Sequence, residues 1–199
     1  MSVPVITKVD GMGRWEPDAR GRLEQAAMEL YLDRGFEQTT VADIATRAGL
    51  TERTFFRHFA DKREVLFRGS SALQDLLVNR VAETPSSVGA MDAVASALDA
   101  AGALFEANRA RSRQRQEVID ANPVLQEREL IKMASLAAGM AVALRARGVA
   151  EPAAALTAEA GVAVFRVAFD RWVSGPDERT LQELIRDSLA QLRAVTAAG

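Results

Sequence analysis

Residues 39–62, TTVADIATRAGLTERTFFRHFADK, set a single glycine between two short apolar-periodic segments, and few folds accommodate that arrangement. Thr39 or Thr40 can cap a helix, and Asp43, three residues after Thr40, completes a capping-box pair ahead of Ile44 and Ala45. Gly49 tolerates the positive φ of a tight C-terminal turn, and Thr51 then offers a hydroxyl to the first free amides of a second helix. The spacing predicts helix, tight turn, helix. In the second helix Leu50, Phe55 and Phe59 recur on a core side, while Glu52, Arg53, Thr54, Phe56, Arg57 and His58 fall largely on the other. A face so rich in donors suits phosphates and base edges, because a recognition helix lies in the major groove with its N-terminal residues at the bases. Alone, the pattern also fits a small solvated helical hairpin.

The stretch from Arg22 to Arg68, with LEQAAMELYLDRGFEQTTVADIATRAGLTERTFFRHFADKREVLF inside it, resembles the N-terminal domain of TetR-family transcriptional regulators. Gly35, Phe36, Thr39, Thr40, Val41, Asp43, Ile44, Ala45, Ala48, Gly49, Thr51, Thr54, Phe55, His58, Phe59 and Lys62 match the family's pattern in order and spacing. The resemblance implies that Thr39, Thr40, Thr51, Phe56, His58 and Lys62 position the DNA backbone. It also implies that Glu52, Arg53, Thr54 and Arg57 lie nearest base edges and that Arg47 adds a phosphate contact. Phe56 departs from the pattern, standing where the family usually has a tyrosine whose hydroxyl bonds a phosphate; phenylalanine can still pack against sugar or a thymine methyl.

A net charge of −2 argues against nucleic acid only until its distribution is considered. From Arg47 to Arg68 six basic residues face three acidic ones, a local balance of +3, and counterion release depends on the face presented to phosphate. With 199 residues, 48% of them hydrophobic, the chain can bury roughly 70% of its unfolded surface. It has no cysteine and only one histidine, His58, so disulfides, thiol chemistry and a metal cluster are not expected. Gly11-Met12-Gly13 lacks the third glycine and preceding strand of a dinucleotide loop, and Glu127 and Glu129 fall on opposite sides of a helix. Neither an enzyme nor a cofactor-dependent protein is expected. The opening MSVPVITKVD lacks the basic start and apolar run of a signal peptide, so a cytoplasmic location is the expectation. The longest apolar run, Met133 to Leu144, falls short of the ~20 residues of a membrane span and reads as a buried helix.

Taken in order, residues 1–17 carry Pro4, Gly11, Gly13 and Pro17 without helical periodicity and read as a mobile arm. Lys8, Arg14, Arg20 and Arg22 could follow a minor groove or merely keep a tail soluble, with Trp15 as an anchor. Asp18 to Arg34 carries Leu23, Ala26, Ala27, Leu30 and Tyr31 on one stripe, a support helix stopped by Gly35. Asp61 can cap a helix from about Lys62 to Ala82, which at about 20 residues would span ~30 Å and join a DNA-reading head to a separate body. Further helices are predicted at about 90–109, 113–121, 124–147, 153–174 and 178–196, with Pro123 and Pro152 near starts and Gly148 and Gly175 at ends. The fold class is all-α, about nine helices, with a three-helix helix-turn-helix domain over 18–66 and a ligand-binding and dimerisation body over 67–199.

The last two helices present wide apolar faces, among them Phe169 and Trp172 on the first and Leu181, Leu184, Ile185 and Leu189 on the second. The pattern itself requires only a core; the resemblance implies a homodimer built on these helices, which pairs two recognition helices for a palindromic operator. In the middle helices Phe105, Ile119, Met133, Leu136, Met140 and Phe165 can line an apolar cavity or fill a core equally well. Arg109, Arg111, Arg113 and Arg115 recur at every second residue, either as a solvated segment or, with Arg109 and Arg113, as a mouth for an anionic ligand such as a phosphate-bearing acyl thioester. The segment RQEVIDANPVLQERELIKMA resembles actinobacterial regulators of that ligand class. The expected function is a ligand-responsive, sequence-specific DNA-binding regulator, a repressor released by a small apolar or amphipathic effector. The rival is an acyl-thioester or lipid-binding module with weak or lost DNA binding.

Overall fold

In the computed structural model, which describes residues 18–175 and 178–197, the apolar stripe ahead of Gly35 forms helix α1 (Ala19–Arg34). Asp18 caps it by accepting from the Gly21 amide at 2.9 Å. Helices α2 (Val41–Arg47) and α3 (Glu52–His58) follow, then a 3-10 turn (Glu64–Phe67), α4 (Ser70–Glu83) and α5 (Ala90–Phe105). A second 3-10 turn (Glu106–Asn108) leads into α6 (Arg109–Asp120), α7 (Pro123–Ala146), α8 (Ala153–Ser174) and α9 (Leu181–Ala197). Among the described residues the fold is all-α, and no helix is long and apolar enough to cross a membrane. The expected arm, with Lys8, Arg14 and Trp15, lies outside the described residues. Arg20 and Arg22 belong instead to α1, where Arg20 stands over the Phe59 ring at 5.4 Å and Arg22 donates to the Ala48 carbonyl at the end of α2.

The single long helix expected after α3 is divided. Asp61 does cap, accepting from the Arg63 amide at 2.8 Å and the Glu64 amide at 3.2 Å, but what it caps is the short 3-10 turn. Val65, Leu66 and Phe67 are all buried there, and an α-helix puts consecutive residues on different faces. Gly69 then separates the turn from α4, whose 14 residues reach only about 21 Å.

Two apolar cores result. The larger joins α4, α5, α7, α8 and α9 around Leu77, Leu98, Met140, Leu144, Trp172 and Leu184. The smaller lies under α1 to α3 and holds Leu23, Tyr31, Phe36, Ile44, Phe55 and Phe59. Val118 and Ile119 of α6 and Leu125 of α7 complete this second core, so it crosses the boundary expected near residue 66. Polar contacts reinforce the junction: Glu64 accepts from Arg128 Nε at 2.8 Å and pairs with Lys132 at 3.3 Å, and Arg115 Nε donates to the Leu66 carbonyl at 2.7 Å.

Candidate nucleic-acid interface and adjoining cavity

Local sequence rules account for the two short helices. The Thr40 hydroxyl accepts from the Asp43 amide at 3.1 Å and the Asp43 carboxylate accepts from the Thr40 amide at 2.9 Å, a reciprocal cap. Hydrogen bonds from the Thr40 hydroxyl and amide, and then the Arg34 guanidinium, hold the Asp43 carboxyl below its ordinary range. Gly49 has φ of 65°, a conformation that costs other residues strain, and it lets Leu50 N close on Ala45 O at 2.8 Å. Thr51 caps α3 through the Thr54 amide at 3.2 Å, and buried Phe55 and Phe59 anchor the helix from beneath.

The opposite side of α3 is open. Thr51, Glu52, Arg53 and Arg57 are exposed, and the Phe56 ring, 55% exposed, stands edge-on to Phe55 at 5.6 Å. Neither Arg53 nor Arg57 is held in an ion pair among the described residues, so both guanidiniums face water. Thr54 is half-buried, its hydroxyl 3.1 Å from that of Thr51. His58 is also half-buried, and its Nε2 has no hydrogen-bond partner among the described residues. Arg47 pairs with Glu29 at 3.1 Å on the surface.

Two of the expected backbone contacts face inward. Thr39 is fully buried, with its hydroxyl 2.9 Å from the Gly35 carbonyl and 3.4 Å from that of Leu30. The Lys62 ammonium donates to the carbonyls of Phe36 at 2.8 Å and Thr39 at 2.9 Å, and it lies 4.2 Å from the Phe36 ring centre. Both side chains serve the loop between α1 and α2 by donating to its carbonyls. Tyr31 supports the same region by donating to the Lys62 carbonyl at 2.7 Å; burial, and then Asp61, push its phenol above the usual range.

A cavity of about 830 Å³ opens where the α1–α3 unit meets α6, α7 and α8. Phe105, Met133, Leu136 and Phe165 line it as expected. Ile119 and Met140 do not, because each is fully buried in one of the two cores. Nor do Arg109 and Arg113, which donate to the carbonyls ending α8, Trp172 at 3.0 Å and Val173 at 2.7 Å. Of the four alternating arginines, Arg111 and Arg115 line the cavity, together with Glu24, Glu129 and Asp170. The alternation contained this split: residues 109 and 113 share one side of a helix, and 111 and 115 the other. Burial raises the Asp170 carboxyl above its ordinary range, opposed by Arg166.

The residues expected at a dimer interface also face elsewhere. Trp172, Leu181, Leu184, Ile185 and Leu189 are buried in the protomer's own large core, and Phe169 lines the cavity beside Phe105 and Phe165 at 5.6 and 5.8 Å. Leu156 and Val167 on α8 and Val195 on α9 are the large apolar residues these two helices leave exposed.

This arrangement, a capped helix-turn-helix set on a helical body with a cavity at their junction, defines a class, and comparison with known proteins agrees with it. Residues 24–68 match the family described as bacterial regulatory proteins, tetR family, and residues 88–197, more than half of the chain, match the MftR C-terminal domain. The chain belongs to the TetR family of bacterial regulatory proteins, in the group with an MftR-type C-terminal domain. It is 34% identical over 119 residues to the putative mycofactocin biosynthesis transcriptional regulator MftR of Mycobacterium tuberculosis, covering 58% of each chain. It is 37% identical over 81 residues to the transcriptional regulator TcmR of Streptomyces glaucescens, covering 41% of this chain and 36% of that protein. The matches thus span between about a third and somewhat over half of these curated relatives. Among solved structures, a TetR-family regulator from Syntrophomonas wolfei has a TM-score of 0.64 at 16% identity, covering 92% of this chain and 96% of that one. Bacillus subtilis FadR in complex with stearoyl-CoA has a TM-score of 0.58 at 17% identity, covering 86% and 96%. At such identities the likeness concerns the fold.

Proposed function

We propose that this chain is a ligand-responsive, sequence-specific DNA-binding transcriptional regulator that acts as a homodimer and is released from a palindromic operator by a small apolar or amphipathic ligand. The observation that carries the proposal is the open face of α3, where Arg53, Phe56 and Arg57 stand exposed on a helix fixed by a cap before it and two phenylalanines beneath it. In a major groove Glu52, Arg53, Thr54 and Arg57 meet base edges, and Thr40, Thr51, Phe56, His58 and Arg47 border the phosphates. Thr39 and Lys62 act from behind, by fixing the loop that leads into α2. Phe56 lacks a hydroxyl and contributes packing against sugar or a thymine methyl.

Pairing two heads uses the exposed side of α8 and α9, with Leu156, Val167 and Val195 as its apolar anchors. The cavity is the effector site. Stearoyl-CoA is FadR's ligand, and it supports an amphipathic effector for this fold. For release, the ligand binds the DNA-incompetent arrangement more tightly than the competent one. Selection of bound sequences from a random duplex pool tests the reading. Enrichment of an inverted repeat is expected; a pool that stays random would overturn it and favour a lipid-binding module without DNA recognition.

A further inference from the structure

Glu24 occupies an unusual position: a carboxylate from the DNA-binding unit that lines the cavity while only 2% exposed. Three guanidiniums surround it. Its Oε2 accepts from Arg68 at 2.6 Å and from Arg111 at 3.1 Å, and Arg20 Nε lies 3.6 Å from its Oε1. That Oε1 is buried and has no hydrogen bond among the described residues. One negative charge thus stands against three positive ones, and the buried anion is only partly satisfied. Arg68 and Arg111 also line the cavity and remain 50% and 57% exposed, so their other N–H donors can be reached from the cavity side.

We infer that Arg68 and Arg111 form an anion site in which Glu24 is the resident occupant, and that an amphiphile whose anionic end takes over these arginines displaces Glu24. The inference rests on the cavity being the effector site and gives that effector a chemistry. Phe105, Phe165 and Phe169 offer the apolar part of the ligand a wall of rings. Displacement has a mechanical consequence. Glu24 is on α1 and Arg111 on α6, so losing their ion pair removes one of the ties between the DNA-binding unit and the body, beside the cavity. The coupling is reciprocal: a DNA-bound head that needs the Glu24 tie disfavours the anionic ligand.

Calorimetric titration of the full chain without DNA tests this, using dodecanoate, dodecyl phosphate and 1-dodecanol as probes. Both anions are expected to bind at least about tenfold more tightly than the alcohol, and their ranking distinguishes a carboxylate from a phosphate source. Arg111→Gln should remove most of that preference while changing alcohol affinity by less than about twofold. Glu24→Gln, which removes the resident charge, should tighten anion binding by roughly three- to tenfold. Equal affinity for anions and alcohol overturns the inference, as does a folded Glu24→Gln protein that binds the anions no better. If Glu24→Gln does not fold, the Arg111→Gln comparison decides. Absence of binding by all three probes would also sink the reading of the cavity as an effector site, whereas parity of anion and alcohol leaves that reading intact.

Discussion

The two cores of this protein differ in how they are closed. The large one, around Trp172, Met140 and Leu184, is filled by residues of α4, α5, α7, α8 and α9 alone. The small one, around Phe55 and Ile44, lacks a wall until Val118, Ile119 and Leu125 supply it from α6 and α7. The α1–α3 unit is therefore not self-sufficient: the body completes it. A change in the body has a direct physical route to α1 to α3, through shared apolar packing and through Glu24, Glu64 and the Leu66 carbonyl.

Substitutions in the two cores should separate them. Trp172→Ala should cost about 3 to 5 kcal/mol in chemical denaturation, because it empties the fully buried centre of the large core. The variant should keep the oligomeric state of the wild type; a Trp172→Ala chain that is folded but monomeric would return Trp172 to a subunit interface. Ile119→Ala should cost about 2 to 5 kcal/mol, and hydrogen exchange should show protection falling across α1 and α3 although the substitution lies in α6. Protection lost only in α6 and α7 would make the small core independent of the body.

Arg57→Ala should weaken operator binding by about 1 to 3 kcal/mol with an unchanged melting curve, the signature of a contact on an exposed face. Thr39→Val should do the reverse: it leaves the Gly35 carbonyl short of a donor and lowers stability by about 1 to 3 kcal/mol, with operator affinity per folded molecule preserved. Loss of affinity without loss of stability would put Thr39 back at the DNA. The smallest effect concerns pH. The Asp43 carboxyl titrates below its ordinary value when folded, so its contribution is present above about pH 4 and is lost as pH falls through the lower folded value. Melting curves of Asp43→Asn should therefore be less sensitive to acidification than those of the wild type; parallel curves would remove Asp43 from the acid response.

Much of the α1–α3 unit is legible in the sequence because its rules are local. Thr40, Asp43, Gly49 and Thr51 act on amides and turns within a few residues of themselves, and the structure uses each as the spacing predicts. The inward contacts of Thr39 and Lys62 are not legible in the sequence, because their partners, the carbonyls of the α1–α2 loop, are apparent only once the chain has turned back on itself. Periodicity likewise marked Leu181, Leu184 and Ile185 as buried but could not tell a neighbouring helix of the same chain from a partner subunit. The arginine alternation carries a further signal: the helical period sends 109 and 113 to the end of α8 and 111 and 115 to the cavity.

In the proposed function two α3 faces read one duplex together. Footprinting on a duplex enriched from a random pool, with the protein-to-duplex ratio measured in the same complex, tests it most directly. Two protomers per duplex are expected, protecting inverted half-sites whose centres are about 34 to 36 Å apart or a multiple of that spacing. One protomer on a single half-site would contradict it.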